Sequence, residues 1–574
     1  MKAFAALYRG LDAATSTKSK QQALVDYFRR VTSDARSRAS AAWAVYFLAG
    51  GKPRQTAPTR LLRRLAIEES GLEEWLFEEC YHSVGDLAET LTLLLPETEA
   101  AEDAPLDVWM NERLLPLRVL DDETKFARLR DWSRSLSADE RFAFFKLITG
   151  AFRVGVSKLQ VVRALAELSG ADEKRMAQRM MGFTQAGRSP RAEDFDALMA
   201  PGDVSVAAAL DLAQPYPFYL AHSLQRTVDE IAALLGPVTD WIAEWKFDGI
   251  RAQFVNTADG WSLWSRGEDL ITEAYPEFQA LSAALPPGTR LDGELVVFHA
   301  ASASADDLTG LRTFASLQQR LGRKQVSAKT LRELPVFFIA YDLLERGGRD
   351  LLEEPQCERR AALEEMVAQA IAKGLALGSA PPLKISPLVV ADSWTHLAAR
   401  RDEAAALGVE GLMLKARQGA YGVGRRKGSD RENVWWKWKL DPMSVDAVLI
   451  YAQRGHGRRS GVYSDYTFAV WNDDADAKER ALVPFAKAYS GLSDQEMREV
   501  DAIIRKTTIE TFGPVRSVTP TLVFELGFEG IAISKRHKSG VAVRFPRMLR
   551  WRRDKPVAEA STLSELRQLL RSHE

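Results

Sequence analysis

The chain has 574 residues, enough for two to four domains, and 46% of them are hydrophobic, enough for real cores. Seventy-seven basic residues oppose seventy-eight acidic ones, so global charge argues neither for nor against a nucleic-acid partner. Two cysteines, Cys80 and Cys357, exclude a disulfide framework or an all-cysteine zinc site within one chain and fit a reducing cytoplasm; no secretion signal opens the chain and no apolar run reaches the ~20 residues of a membrane span.

The first two hundred residues predict helices. Phe4, Leu7, Tyr8 and Leu11 follow the i, i+3, i+4, i+7 pattern, as do Leu24, Tyr27, Phe28 and Val31. Lys18, Lys20, Arg29, Arg30, Arg36 and Arg38 lie between and beside these stripes. Gly155-Val156-Ser157 interrupts a helical stretch, with Ser157 as the next helix cap. Pro215, Pro217 and the polar stretch around Pro190 mark a boundary near residue 205.

From Ile242 the pattern changes to short strands and turns: Glu244 to Val255, Trp261 to Trp264, Leu291 to Phe298 and Val336 to Leu343, with a helix from Glu358 to Ala372. This predicts a mixed α+β domain over 206–441. Asp441-Pro442 reads as a hinge. Beyond it, Val445 to Tyr451, Tyr466 to Trp471 and Leu522 to Leu526 read as strands of a small barrel over 442–574. Thr562 and Glu565 form a capping-box pattern before a last helix carrying Leu563, Leu566, Leu569 and Leu570.

The chemistry is concentrated in the middle of the chain. Lys246 stands in Glu244-Trp245-Lys246-Phe247-Asp248-Gly249-Ile250-Arg251. A lysine amine attacks phosphorus only when neutral, and the apolar flank of Trp245 and Phe247 disfavours its charged form. A lysine beside Asp-Gly is more often a surface turn, but here partners recur downstream in order. They are Asp292-Gly293-Glu294, Tyr341-Asp342, Glu410-Gly411-Leu412-Met413-Leu414-Lys415, Lys437 with Lys439, and Arg552-Arg553-Asp554-Lys555. Alternation puts Asp292 and Glu294 on one strand face, and Lys437 and Lys439 on another. Two lysines on one face repel unless an anion lies between them. Lys415 has the wrong parity to share a face with Glu410 in a regular strand. Two basic clusters, Arg417–Arg431 and Lys535–Lys555, are electrostatic footprints for phosphate.

This ordered set resembles the covalent nucleotidyltransferases, and most closely the ATP-dependent DNA ligases. Within them the chain looks like the bacterial accessory group linked to the DNA-damage response. The resemblance implies three domains: an all-α DNA-binding domain over 1–205, an adenylation domain over 206–441 and an OB-fold over 442–574. It implies that Lys246 carries AMP, that Glu244 helps hold adenine, and that Tyr341 stacks on it where the family usually has phenylalanine. Arg251, Arg266, Glu294, Arg431, Lys437, Lys439, Arg552 and Lys555 would meet ribose or phosphates. Glu294 and Glu410, as strand-end carboxylates, would take Mg²⁺ or Mn²⁺. Trp435, Trp436 and Trp438 read as core and groove packing.

The implied substrates are ATP and nicked duplex DNA, and the implied state is a cytoplasmic monomer in DNA repair. The sequence identifies no nuclease or helicase partner. The two cysteines disfavour the NAD-dependent relatives, which carry a four-cysteine zinc module. An RNA ligase or an RNA-capping enzyme shares the lysine chemistry, but the long helical front suits encirclement of a duplex. A non-catalytic nick-binding clamp would have a degenerate site, and this one is complete.

Overall fold

The computed structural model describes every residue except 32–34, 97–102, 151, 153, 186, 201–213, 299–307, 322, 324–325, 425–434, 456–460, 474–479, 490 and 572–574. The described residues fall into two compact units. The first comprises Met1–Thr56, Glu102–Val119 and Gly150–Leu440; the second comprises Ala57–Ala101, Leu120–Thr149 and Asp441–Glu574.

The front of the first unit is helical because its apolar stripes are buried. Phe4, Leu7, Tyr8 and Leu11 line the inner face of Lys2–Ala13. Ser16 caps Thr17–Arg30, accepting from the Ser19 N–H at 3.0 Å, and that helix ends one residue before Val31. Ser157 caps Lys158–Ser169 through a capping box completed by Gln160. Lys20, one of the basic residues beside the stripes, donates at 2.5 Å to the Val154 carbonyl and so ties its helix to the link that precedes Lys158–Ser169.

Two sheets build the rest of this unit. The strands that matter are β1 (Trp241–Trp245), β2 (Ile250–Thr257), β3 (Gly260–Ser265), β4 (Thr289–Val297), β5 (Val336–Arg346), β6 (Gly411–Ala416) and β7 (Trp435–Lys439). One sheet runs His222–Ser223, β7, β6, β1. The other runs β3, β2, β4, β5, Arg349–Asp350, with Leu383–Ile385 parallel to β5. The expected single strand from Glu244 to Val255 is therefore two strands in different sheets. Lys246–Gly249 crosses between them, and Gly249 is what permits the crossing. A Cβ there would fall 2.3 Å from the Leu295 carbonyl oxygen.

In the second unit, Asp86 caps Leu87–Leu94 and pairs with Lys146 of Ala138–Thr149. The chain from Asp441 onward is strand-rich: β8 (Met443–Arg454), β9 (Tyr463–Trp471), β10 (Leu482–Ala488), β11 (Thr508–Phe512), β12 (Val515–Val518), β13 (Val523–Phe528) and β14 (Arg547–Trp551). They form one seven-stranded sheet around Phe468, Phe524 and Leu526. The last helix, Leu563–Arg571, starts as expected: the Glu565 N–H donates to Thr562 Oγ1 at 3.3 Å, and Leu563 and Leu566 are buried.

Candidate active site

The ladder register collects the central side chains. Across β1, β6 and β7, Ile242 is opposite Lys415 and Lys415 opposite Trp435; Glu244 is opposite Met413 and Met413 opposite Lys437. Directly opposed residues share a face. Lys246 continues the row, since its N–H donates to the Gly411 carbonyl and its own carbonyl accepts from the Glu410 N–H, both at 2.8 Å. Gly411 has φ +129°, and a Cβ on it would sit 2.4 Å from the Trp438 carbonyl oxygen. That left-handed residue breaks the alternation between Glu410 and Lys415. The parity argument against Lys415 therefore fails, and both residues reach the same site.

Glu410 is the anion that Lys246 and Lys439 share. Its Oε2 lies 2.5 Å from Lys246 Nζ and 3.2 Å from Lys439 Nζ. Burial pushes the Glu410 carboxyl up, but Lys246 and Lys439 outweigh it and hold the group below the usual glutamate range. Trp245 and Phe247 are buried, as expected of the flank, yet the ammonium between them meets a carboxylate rather than an apolar wall. Lys437 is half-buried on the same face.

Glu244 lies deeper than expected. It is 1% exposed, with one oxygen 2.8 Å from Lys415 Nζ and the other 3.1 Å from Arg360. Lys415 also donates to the Tyr341 carbonyl at 2.8 Å, and its ammonium lies 4.7 Å from the Tyr341 ring centre and 4.6 Å from that of Trp435.

The second sheet supplies the other wall. Arg251 grips Asp292 with two bonds of 2.6 and 3.1 Å and donates at 2.5 Å to the Tyr219 carbonyl. Asp292 also accepts from the Tyr421 hydroxyl at 2.7 Å. Asp292 therefore occupies the Arg251 fork expected to meet ribose or phosphate. Glu294 is opposite Arg251, but its carboxylate makes no hydrogen bond or ion pair among the described residues. Burial pushes its carboxyl up to about 8, while Lys246 and Arg251 pull it down and Asp292 and Glu410 push it further up. Contrary to expectation Glu294 is not at a strand end. It lies inside β4, because β2 and β5 pair with β4 on both sides beyond it.

Tyr341 stands at a bulge. Gly293 is opposite Ala340 and Asp292 opposite Asp342, which leaves Tyr341 as the extra residue of β5. Bulges re-aim side chains at such sites. Arg266 is exposed; its backbone N–H donates to the Arg251 carbonyl at 3.0 Å. Trp436 and Trp438 are core, whereas Trp435 packs with Tyr219, Tyr421 and Tyr341.

Two expected residues belong to the other unit, and a third lies outside the described residues. Arg431, with most of its basic stretch, lies outside the described residues. Arg552 and Lys555 belong to the other unit, where Asp446 of β8 lies 2.8 Å from the first and 2.7 Å from the second. Lys415, Arg360, Tyr421 and Asp446 are the polar residues that sequence reasoning missed or left unassigned.

A lysine beside two carboxylates, backed by further cations and an aromatic ring, can exchange phosphoryl groups by positioning and charge neutralisation. The relatives agree. Family models of the DNA ligase N terminus, the ATP-dependent DNA ligase domain and the ATP-dependent DNA ligase C-terminal region match residues 1–166, 219–439 and 459–555. A probable DNA ligase of Koribacter versatilis is 32% identical over 98% of this chain and 95% of its own length. A probable DNA ligase of Streptomyces avermitilis is 31% identical over 76% of this chain and 79% of its own. The solved structure Pmar-Lig_Pre superposes with TM-score 0.59 over 96% of this chain and 99% of that one at 13% identity, a likeness of fold alone. The chain thus belongs to the ATP-dependent DNA ligases.

Proposed function

We propose that this chain seals 5′-phosphate/3′-hydroxyl nicks in duplex DNA, as a cytoplasmic monomer in DNA repair, through AMP carried on Lys246. The observation that carries the reading is the backbone-locked pair of Lys246 and Glu410, with Lys439 on the same carboxylate and Glu294 beside them. In the first step the Lys246 amine, released from Glu410, attacks the α-phosphorus of ATP. A nitrogen–phosphorus bond forms, pyrophosphate leaves, and the lysine proton passes to solvent or to a nearby carboxylate. AMP then moves to the DNA 5′-phosphate, and the 3′-hydroxyl displaces it. Tyr341 would stack on the base, with Trp435 packed edge-on behind it, and Lys437 and Lys439 would face the phosphates. Arg251, fixed by Asp292, would present one edge to the ribose, with Arg266 at the rim. Glu244 would act at the adenine through Lys415.

Glu294 and Glu410 fit a hard divalent cation, since two carboxylates with water and nucleotide phosphates satisfy Mg²⁺ or Mn²⁺ without an all-protein cage. No cluster of three or more acidic, histidine or cysteine ligands occurs among the described residues. When bound, the metal would neutralise phosphate charge. Glu294 and Glu410 would hold it against β4 and β6.

The domain plan we propose is a helical DNA-binding region over 1–205, an adenylation domain over 206–441 and an OB-fold over 442–574. Arg431, Arg552 and Lys555 would meet the nucleotide phosphates during the first step. Incubating the full chain separately with labelled ATP, GTP and NAD tests the reading. An acid-labile label from ATP alone, lost in Lys246→Ala, supports it. A label from GTP or NAD, or one that survives in Lys246→Ala, overturns it.

A further inference from the structure

The Gln356–Ala376 helix lies outside every motif, yet its first turn carries two adjacent buried arginines aimed at one place. Arg359 grips the Asp342 carboxylate with bonds of 2.8 and 3.0 Å, both side chains being fully buried. Arg360 reaches the neighbouring residues by two routes. Its guanidinium lies 3.1 Å from Glu244, whose other oxygen holds Lys415, and Lys415 donates to the Tyr341 carbonyl. The same Arg360 nitrogen donates at 2.8 Å to the Ser386 carbonyl, and the Ser386 N–H donates at 2.9 Å to the Ala340 carbonyl. Ala340, Tyr341 and Asp342, the three residues of the bulge, therefore each receive one tie from this pair of arginines.

Buried charges are costly unless well paired, and apolar residues of similar size would hold a helix to a sheet as well. A chain of forked and point-charge contacts fixes orientation, which apolar packing does less sharply. What it fixes here is a bulged residue, whose side-chain direction the regular ladder does not set.

We propose that Arg360, acting through Glu244 and Lys415 and supported by Arg359, is a positioning residue that sets the Tyr341 ring for stacking on the base of ATP. This rests on the assignment of Tyr341 to the base. Lys415 lies 4.7 Å and Arg251 5.8 Å from the centre of that ring, so both cations border it. Arg360 touches no substrate. Its loss loosens the ring and weakens ATP binding while leaving the Lys246–Glu410 geometry in place.

The test is single-turnover formation of the lysyl-adenylate by the full chain across ATP concentrations, for Arg360→Met, Tyr341→Ala and the double variant. We expect Arg360→Met to raise the half-saturating ATP concentration by about tenfold with the maximal rate within about threefold, a split that a general loss of structure does not give. Tyr341→Ala should raise it as well, and adding Arg360→Met to Tyr341→Ala should change it by less than about twofold, because the two act in series. If Arg360→Met does not fold, Arg360→Lys carries the test. A single ammonium does not reproduce the fork, so the half-saturating concentration should rise by about threefold. An unchanged value in the folded Arg360 variant overturns the inference, and so do fully additive effects in the double variant. If Tyr341→Ala raises the value and the Arg360 variant does not, the inference falls and the base assignment stands. If Tyr341→Ala has no effect, the base assignment falls and takes the inference with it.

Discussion

Glu410 and Asp446 do the same electrostatic task in different settings. Each holds two cations: Glu410 holds Lys246 and Lys439, and Asp446 holds Arg552 and Lys555. Glu410 is locked by backbone hydrogen bonds to the residues beside it, on adjacent strands of one sheet. Asp446 lies on β8, but its two cations come from the segment that follows β14, and Arg552 is shared with Asp554. A carboxylate whose partners sit on neighbouring strands keeps them in one arrangement. A carboxylate whose partners sit on a turn can exchange them for another anion. On this contrast we propose that the first cluster serves chemistry common to several steps and the second serves one step.

The largest expected effect falls on the locked cluster. Lys246→Ala should abolish the covalent adenylate, and Lys246→Arg should lower its rate by at least about 10³-fold, because a guanidinium stays protonated at any working pH. Acid-labile label retained from ATP measures both. Near-normal labelling of Lys246→Arg would remove Lys246 from the nucleophile's place.

Next comes the exchangeable cluster. Lys555→Ala should slow adenylate formation by about 10²-fold, the usual cost of removing one donor to a charge that develops as pyrophosphate leaves. Sealing of a nick that already carries AMP should stay within about threefold of wild type. Equal losses in the two assays would make Lys535–Lys555 a general DNA-binding surface and erase the contrast with Glu410.

A smaller effect tests exchange itself. If Asp446 competes with ATP for Arg552 and Lys555, Asp446→Asn should lower the half-saturating ATP concentration by roughly threefold at low salt, and less at high salt as screening grows. A rise instead would show that Asp446 orients its cations, as Glu410 does.

The sequence carried one half of this comparison better than the other. Lys246, Glu294, Glu410, Lys437 and Lys439 were legible because motif spacing and strand alternation are local properties. Lys415 was misjudged because Gly411 adopts φ +129° and breaks the alternation, which no count of residues reveals. The Tyr341 bulge depends on how β5 pairs with β4, so its direction was invisible too. Arg360 and Tyr421 join the site from a helix and a loop, and nothing local marks them out from other polar residues. Asp446 did leave a trace. It is the single acid in the apolar run from Val445 to Leu449, where an unpaired charge would be costly. The strand-rich character of the last third was legible from alternation, but its strand order depends on pairings such as β8 with β13 that join distant segments.

The smallest expected effect concerns Glu294, a carboxyl that pairs with no cation among the described residues. Its folded-state pKa is pushed up to about 8, against about 4.3 in an unfolded chain. Between those values the folded chain binds a proton that the unfolded chain has released, so stability falls as pH rises. The penalty is absent below the unfolded value and complete above the folded one. Glu294→Gln removes the titrating group. Without divalent cations, the variant should therefore melt on the order of 2 °C above wild type at pH 8.5, with a gap several-fold smaller at pH 5, where only the start of the penalty is felt. Adding Mg²⁺ should close the gap at pH 8.5 by stabilising the wild-type carboxylate, while the variant, lacking that charge, gains less. Thermal melts at the two pH values, with and without Mg²⁺, read all four quantities. A gap that is the same at both pH values would show that the substituted amide packs better rather than that Glu294 is strained by its charge. A gap that ignores Mg²⁺ would take Glu294 out of the metal site and leave Glu410 to hold the cation alone.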